Sequence, residues 1–238
     1  MIALPVLGSV VCAAFALVCG LPLFRLKGHY FAIATLGLNE AVKAIVLNWA
    51  SLTGGGGGIS LPLPPGNVAG NARMFYGAFL ALTVAGTAAV WSLRRTRFGL
   101  ACRAIRADED AAAATGINPL LYKTGAWVLS AILACWAGSL YAYWQSYIDP
   151  GVAFDMDFAV TGFVILLLGG PGTVLGPVVA AFALQLVSTL TWSHLLTLHL
   201  GLMGILIMAA VLLMPDQDAW TRLGRGRVLT AAWAARRR

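Results

Sequence analysis

The chain has 238 residues, 60% of them hydrophobic and only 11% charged, with a mean hydropathy of +0.83 and a formal net charge of +7. Soluble domains carry about 25% charged residues, so this composition excludes a water-soluble globule and points to a polytopic membrane protein. The positive charges fall in short loops and the tail, as membrane sidedness requires, and this removes nucleic acid as a reason for the basic balance.

Seven apolar stretches are candidates for spans, against the ~20 residues an apolar helix needs to cross a bilayer. The first is Ile2 to Phe24, closed by the basic turn Arg25-Leu26-Lys27-Gly28. The N-terminus lacks the positively charged leading region of a signal peptide. The second, Tyr30 to Trp49, is the most polar and carries Thr35, Asn39, Glu40 and Lys43. A helix-breaking loop follows, with a run of five glycines from Gly54 to Gly58 and then Pro62, Pro64, Pro65 and Gly66. The third span, Met74 to Leu93, stops at Arg94-Arg95.

Arg94 to Tyr122 is the longest polar interruption, with five arginines and the consecutive acids Asp108, Glu109 and Asp110. The fourth span, Lys123 to Tyr143, ends in an aromatic belt of Tyr141, Tyr143, Trp144 and Tyr147. Asp149-Pro150-Gly151 makes a turn that Asp155 and Asp157 keep wet. The fifth span, Phe158 to Leu168, breaks at Gly169-Gly170-Pro171-Gly172-Thr173-Val174-Leu175-Gly176-Pro177. The sixth runs from Val178 to Trp192 and the seventh from Leu200 to Met214, joined by the polar link His194 to His199. The fold class is therefore all-α and polytopic. One membrane domain covers residues 1–215, and a basic cytoplasmic tail covers 216–238.

Placing the charged loop in the cytoplasm and alternating puts fourteen of the sixteen Lys and Arg inside, leaving Arg73 outside and Lys43 within a span. This asymmetry sets the orientation. Seven spans with the C-terminus inside leave Met1 outside with no basic anchor. The expectation is that the first span inserts unusually, or that an upstream part with an odd number of spans precedes it.

The loop Arg97 to Ala114 holds strong helix formers and no proline, so a single cytoplasmic helix is expected there. Gly116 is suited to cap its C-terminus in the left-handed conformation, and Pro119 cannot continue it. A run of alanines lets another surface approach the backbone, and flanking charges set register. These are the needs of a docking helix; the competing reading is a solvated helix held on lipid headgroups by its arginines.

In the second span, Glu40 and Lys43 share a helical face, with Asn39 beside it and Thr35 a turn or so before. A charge within a span costs at least ~2.5 kcal/mol, so these groups should face protein or water. They are either a polar wall for a zwitterionic solute or a structural ion pair, near a shallow helix end or at a subunit interface. The five glycines either bring backbone amides to a partner or form a floppy tether, the latter being preferred. Gly169, Gly170, Gly172, Gly176 and Pro177 make a tight turn, which either lines a cavity or closes a compact hairpin.

Cys12, Cys19, Cys102 and Cys135 lack metal-ligand spacing and read as small buried hydrophobes. His29, His194 and His199 indicate no metal site. Trp49, Trp144, Trp192 and Trp220 read as interface anchors. There is no nucleophile–base set for catalysis, and no Gly-x-x-x-x-Gly-Lys-Ser/Thr loop for a nucleotide phosphate.

Asp110-Ala-Ala-Ala-Ala-Thr-Gly116 resembles the E-A-A-x-x-x-G signature of ABC-importer membrane subunits, with Asp in place of Glu. The surrounding residues Arg97-Phe-Gly, Arg103-Ala-Ile-Arg106, Asp108-Glu109, Ala111-Ala112, Gly116-Ile-Asn118 and Tyr122-Lys123 are similar to the LivM-like permease subunits of branched-chain amino acid importers. So are Arg25-Leu-Lys-Gly28 through Thr35-Leu-Gly37 and Glu40, Leu52-Thr-Gly-Gly55, and Gly169 through Pro177. The resemblance covers about residues 21 to 215.

It implies a bacterial inner-membrane permease that pairs with a second, related permease subunit and receives substrate from a periplasmic binding protein. Two cytoplasmic ATPase subunits would bind ATP and dock on the loop through Arg103, Arg106, Asp108, Glu109, Asp110, Ala111, Ala112 and Gly116. Thr35, Asn39, Glu40 and Lys43 are the candidates for the translocation path. The chain itself would hold no cofactor and perform no catalysis. The alternative is an ATP-independent secondary transporter or channel for a small polar solute.

Overall fold

The computed structural model describes residues 3–26, 28–62 and 67–194. The chain divides into two compact units that meet in sequence at Asp155 and Met156.

The first unit is built on α1 (Ala3–Leu23) and α7 (Pro119–Gln145), which pack along one another. The reason is a spacing in the sequence. Gly8, Cys12, Ala16 and Gly20 recur every fourth residue and form one face of α1. In a membrane, helices associate by close packing rather than by hydrophobic burial, and small residues permit that approach. A methyl group on Gly8 would lie 3.2 Å from Cys135 Sγ, and one on Gly20 would lie 3.2 Å from Trp127 Cδ1. Ala16 is 2% exposed. The Cys12 and Cys135 thiols adjoin in this seam; the four cysteines are half-buried rather than buried as expected.

Helix α4 (Val68–Leu93) also packs on α7, with the Phe75 and Tyr143 rings 5.8 Å apart. It begins before Met74, so it is longer than the sequence pattern suggests. Helix α2 (His29–Asn48) touches α1 only lightly, and Phe24 bridges it to α7 through Phe31 and Trp127.

The glycine run is not a floppy tether. After the short helix α3 (Ala50–Thr53), Gly55–Gly57 make one 3-10 turn. Strand β1 (Ile59–Ser60) then pairs antiparallel with β2 (Tyr147–Ile148), matching Ile59 to Ile148. The Leu61 amide donates to Ser146 O at 2.8 Å, and Tyr147 Oη donates to Gly57 O at 3.1 Å. Gly58 has φ 66°, and a methyl group there would sit 2.6 Å from Ile148 O. Close approach to β2 therefore demands glycine. Asp149 caps α8 (Pro150–Ala153), its Oδ1 accepting from Val152 N at 3.0 Å.

In the second unit, α9 (Met156–Gly169) and α10 (Leu175–His194) form a hairpin with Val164 and Leu184 buried. The backbones of Gly169 and Gly176 touch, leaving no room for a side chain on either. Thr173 Oγ1 donates to Gly169 O at 2.8 Å, and Gly170 and Gly172 take positive φ. Pro177 lies in the first turn of α10, where its missing N–H has no helical partner to lose. Gly169 to Pro177 closes the hairpin, and Gly169, Thr173 and Gly176 also line a cavity of about 630 Å³.

Among the described residues, five stretches are long and apolar enough to cross a membrane: Pro5–Leu23, Tyr30–Asn48, Gly70–Leu93, Pro119–Gln145 and Pro150–Gly169. Leu175–Thr189 is a shorter apolar helix. The expected seventh span and the tail lie outside the described residues. Large apolar side chains are exposed along these helices, Val18, Ile33, Tyr76 and Phe182 among them. That surface suits lipid, where apolar exposure carries no penalty.

Candidate functional site

The loop between α4 and α7 is a folded module, and each bend in it has a local cause. Thr96 caps α5 (Arg97–Ala107), its Oγ1 accepting from Gly99 N at 3.4 Å. Gly99 is buried against the backbone of Leu93 and Arg94, so the chain turns a corner too tight for a side chain. Arg103 Nη2 donates to Arg94 O at 3.1 Å and satisfies a carbonyl at the end of α4. Ala101 and Ile105 are buried on the inner face of α5. The Phe98 and Tyr122 rings pack at 5.4 Å, tilted by 43°, and Phe98 covers Gly125 of α7. Burial pushes the Cys102 thiol upward.

The single helix expected over Arg97 to Ala114 is in fact two. Asp108 is extended, at φ −161° and ψ 118°, and separates α5 from α6 (Glu109–Ala114). The cause is the capping preference of Asp: its Oδ1 accepts from Asp110 N at 3.0 Å and Ala111 N at 2.9 Å. Glu109 and Asp110 place negative charge on the first turn, complementing the helix dipole. The far end closes as expected. Gly116 has φ 86°, its amide donates to Ala113 O, and the Ile117 amide donates to Ala112 O. These are the two hydrogen bonds of a Schellman motif. Asn118 then caps α7 and Pro119 takes its first position.

The module has an inner and an outer face. Glu109 Oε2 accepts from Lys123 Nζ of α7 at 2.6 Å, and Ala112 is buried. These two residues lie on the inner face of α6. Arg103, Arg106, Asp108, Asp110, Ala111 and Gly116 are exposed. Sequence reasoning missed the Arg95 guanidinium, which lies 4.2 Å over the Trp91 ring. The i, i+4 spacing on one helix face was the available signal.

The four residues of α2 do not converge. Thr35 Oγ1 donates to Ala32 O within its own helix at 2.8 Å. Asn39 Nδ2 donates to Phe154 O at 3.3 Å and ties α2 to the end of α8. Glu40 is exposed, Lys43 is half-buried, and no ion pair joins them. A cavity of about 570 Å³ lies among α1, α2 and α7, lined by Cys12, Phe15, Leu38, Val42, Trp127 and Ala131. None of Thr35, Asn39, Glu40 or Lys43 lines it. Among the described residues, no group of three or more His, Cys, Asp or Glu could hold a metal ion.

Apolar helices long enough to cross a membrane, joined by a capped polar loop module, define a multi-pass α-helical membrane protein. The chain belongs to the family of the branched-chain amino acid transport system permease component, whose model matches residues 1–211. It is 32% identical over 206 residues to the high-affinity branched-chain amino acid transport system permease protein LivM of Salmonella typhimurium, covering 75% of this chain and 48% of that protein. To LivM of Escherichia coli it is 33% identical over 209 residues, covering 76% and 48%. To the permease protein LivH of Escherichia coli it is 29% identical over 136 residues, covering 57% and 41%. The chain thus spans about half the length of the LivM proteins it matches. No solved structure matches it.

Proposed function

We propose that this chain is a transmembrane permease subunit of a binding-protein-dependent ABC importer in the inner membrane, forming part of the translocation path for branched-chain or related amino acids. It pairs with a second, related permease subunit, receives substrate from a periplasmic binding protein, and couples to two cytoplasmic ATPase subunits through residues 94–122. ATP is bound and hydrolysed by those partners, and the chain itself performs no catalysis. The observation that carries this reading is α6. It is capped at both ends, braced from behind by Glu109–Lys123, and presents Asp110, Ala111 and Gly116 outward.

A short rigid helix with small exposed residues can enter a groove and transmit displacement without bending. Its inner contacts run to α5 and α7, so motion at α6 is passed to a membrane helix. The test is uptake of radiolabelled leucine in cells lacking their own importer, with this chain supplied alongside the binding protein, second permease and ATPases. Competition by urea and short amides resolves the substrate class. Uptake that persists without ATPases contradicts the proposal and favours an ATP-independent transporter.

A further inference from the structure

We infer that the membrane end of the cytoplasmic module, formed by Trp91, Arg95, Arg97 and Leu100, seats the phosphate headgroup of an anionic phospholipid of the cytoplasmic leaflet. The inference goes beyond the proposed transport role and does not depend on it.

Depth comes first. The apolar stretch of α4 ends at Leu93, so Trp91 lies in its last turn and Arg95 directly beyond it. That is headgroup level, where tryptophan partitions. The Trp91 side chain is 55% exposed, and the Arg95 guanidinium stacks on it at 4.2 Å. This contact holds the guanidinium beside the ring at the end of α4. The planar fork of a guanidinium matches two oxygens of a phosphodiester.

Charge comes second. Neither Arg95 nor Arg97 is paired with a carboxylate among the described residues. The acids of the loop are committed or distant in the chain: Asp108 caps α6 and Glu109 holds Lys123. A cationic pair within four residues of a membrane span therefore has its complement in the anionic lipid surface. Arg97 adds to this charge at the first position of α5.

The third observation is apolar. Leu100 is 55% exposed on α5, three residues from both Arg97 and Arg103 on the outer side of that helix. An exposed leucine flanked by arginines is the pattern of a helix lying on a membrane, with its apolar side chain among acyl chains and its arginines on phosphates. A soluble partner at this corner would have to displace the headgroups. The exposed residues of α6, farther along the loop, meet no such competition.

The full-length protein is reconstituted in nanodiscs of phosphatidylcholine doped with acyl-brominated phosphatidylglycerol or acyl-brominated phosphatidylcholine. Subtracting the fluorescence of Trp91→Phe isolates Trp91 from the other tryptophans. Half-maximal quenching of Trp91 is expected at about fivefold lower mole fraction of the glycerol lipid than of the choline lipid. In Arg95→Gln/Arg97→Gln the two curves should coincide. Coincident curves in the wild-type protein overturn the inference, and that comparison needs no arginine variant to fold. Displacement of the lipid preference by inorganic phosphate also overturns it, in favour of a small-anion site. So does a Trp91 that neither lipid quenches and only added ATPases shield.

Discussion

Lys123 of α7 and Glu109 of α6 meet at 2.6 Å, and this ion pair is the side-chain bond that fastens the short helix to the membrane helix behind it. Both side chains are about one-third exposed, 32% and 37%, so solvent screens the pair. Replacing Glu109 by Gln should cost only about 0.5 kcal/mol of stability. The larger effect should be mechanical. Amide exchange in α6 should quicken in Glu109→Gln, and the charge swap Glu109→Lys with Lys123→Glu should restore much of the protection.

Asp108 works as a helix cap before it works as a charge. Asp108→Ala should destabilise α6 by about 1 kcal/mol, whereas Asp108→Asn should be nearly neutral because both residues cap well. Hydrogen exchange at the Asp110 and Ala111 amides checks this, since those are the donors that Oδ1 satisfies. Equal protection in the Ala and Asn variants would contradict the capping role.

Gly116 sits at φ 86°, where a Cβ meets the following carbonyl. Gly116→Ala should cost about 1–2 kcal/mol. The cost should fall on the junction between α6 and α7, read as faster exchange at Ile117 with little change in α5. A methyl group there has open space around it, so the effect is purely conformational.

The end of this module was legible from residues alone, because Gly116-Ile117-Asn118-Pro119 stops a helix by local chemistry. The break at Asp108 was not. Helix formers on both sides outweigh one Asp in any propensity sum, yet that Asp can satisfy two amides at once. The ordered glycine run was beyond local reasoning altogether. Its partner strand at Tyr147–Ile148 lies some ninety residues away in the chain. The stripe Gly8, Cys12, Ala16, Gly20 was visible in the sequence, but only as scattered small residues until α7 was laid against it. In α2, spacing placed Glu40 and Lys43 on one face, but a shared face does not bring the two charges together.

The α1–α7 seam has its own check. Cys12 and Cys135 adjoin across it. Mild oxidation by a copper–phenanthroline catalyst should link them, shown by a band shift in a variant keeping only these two cysteines. Gly8→Leu should abolish the link, because the added side chain cannot fit beside Cys135 Sγ.

In the second unit, Gly169 and Gly176 meet backbone to backbone. Gly176→Ala should therefore separate α9 from α10 and cost about 1–3 kcal/mol through overpacking. Lower yield of membrane-inserted protein and increased protease sensitivity at residues 169–177 are the expected signs. An alanine variant as stable as the parent would mean that the hairpin is not closed in this way.

The most direct test of the docking role uses two exposed charges on the outer face of the module. Arg106 and Asp110 are exposed, and their side chains make no hydrogen bond or ion pair among the described residues, unlike those of Asp108 and Glu109. Arg106→Glu with Asp110→Lys should leave the permease in the membrane at its usual level. The amount of ATPase co-purifying with it should fall by about tenfold or more, the loss expected when opposed interface charges become like-charged. An unchanged ratio of ATPase to permease in the purified complex would contradict the assignment of residues 94–122 as the coupling surface.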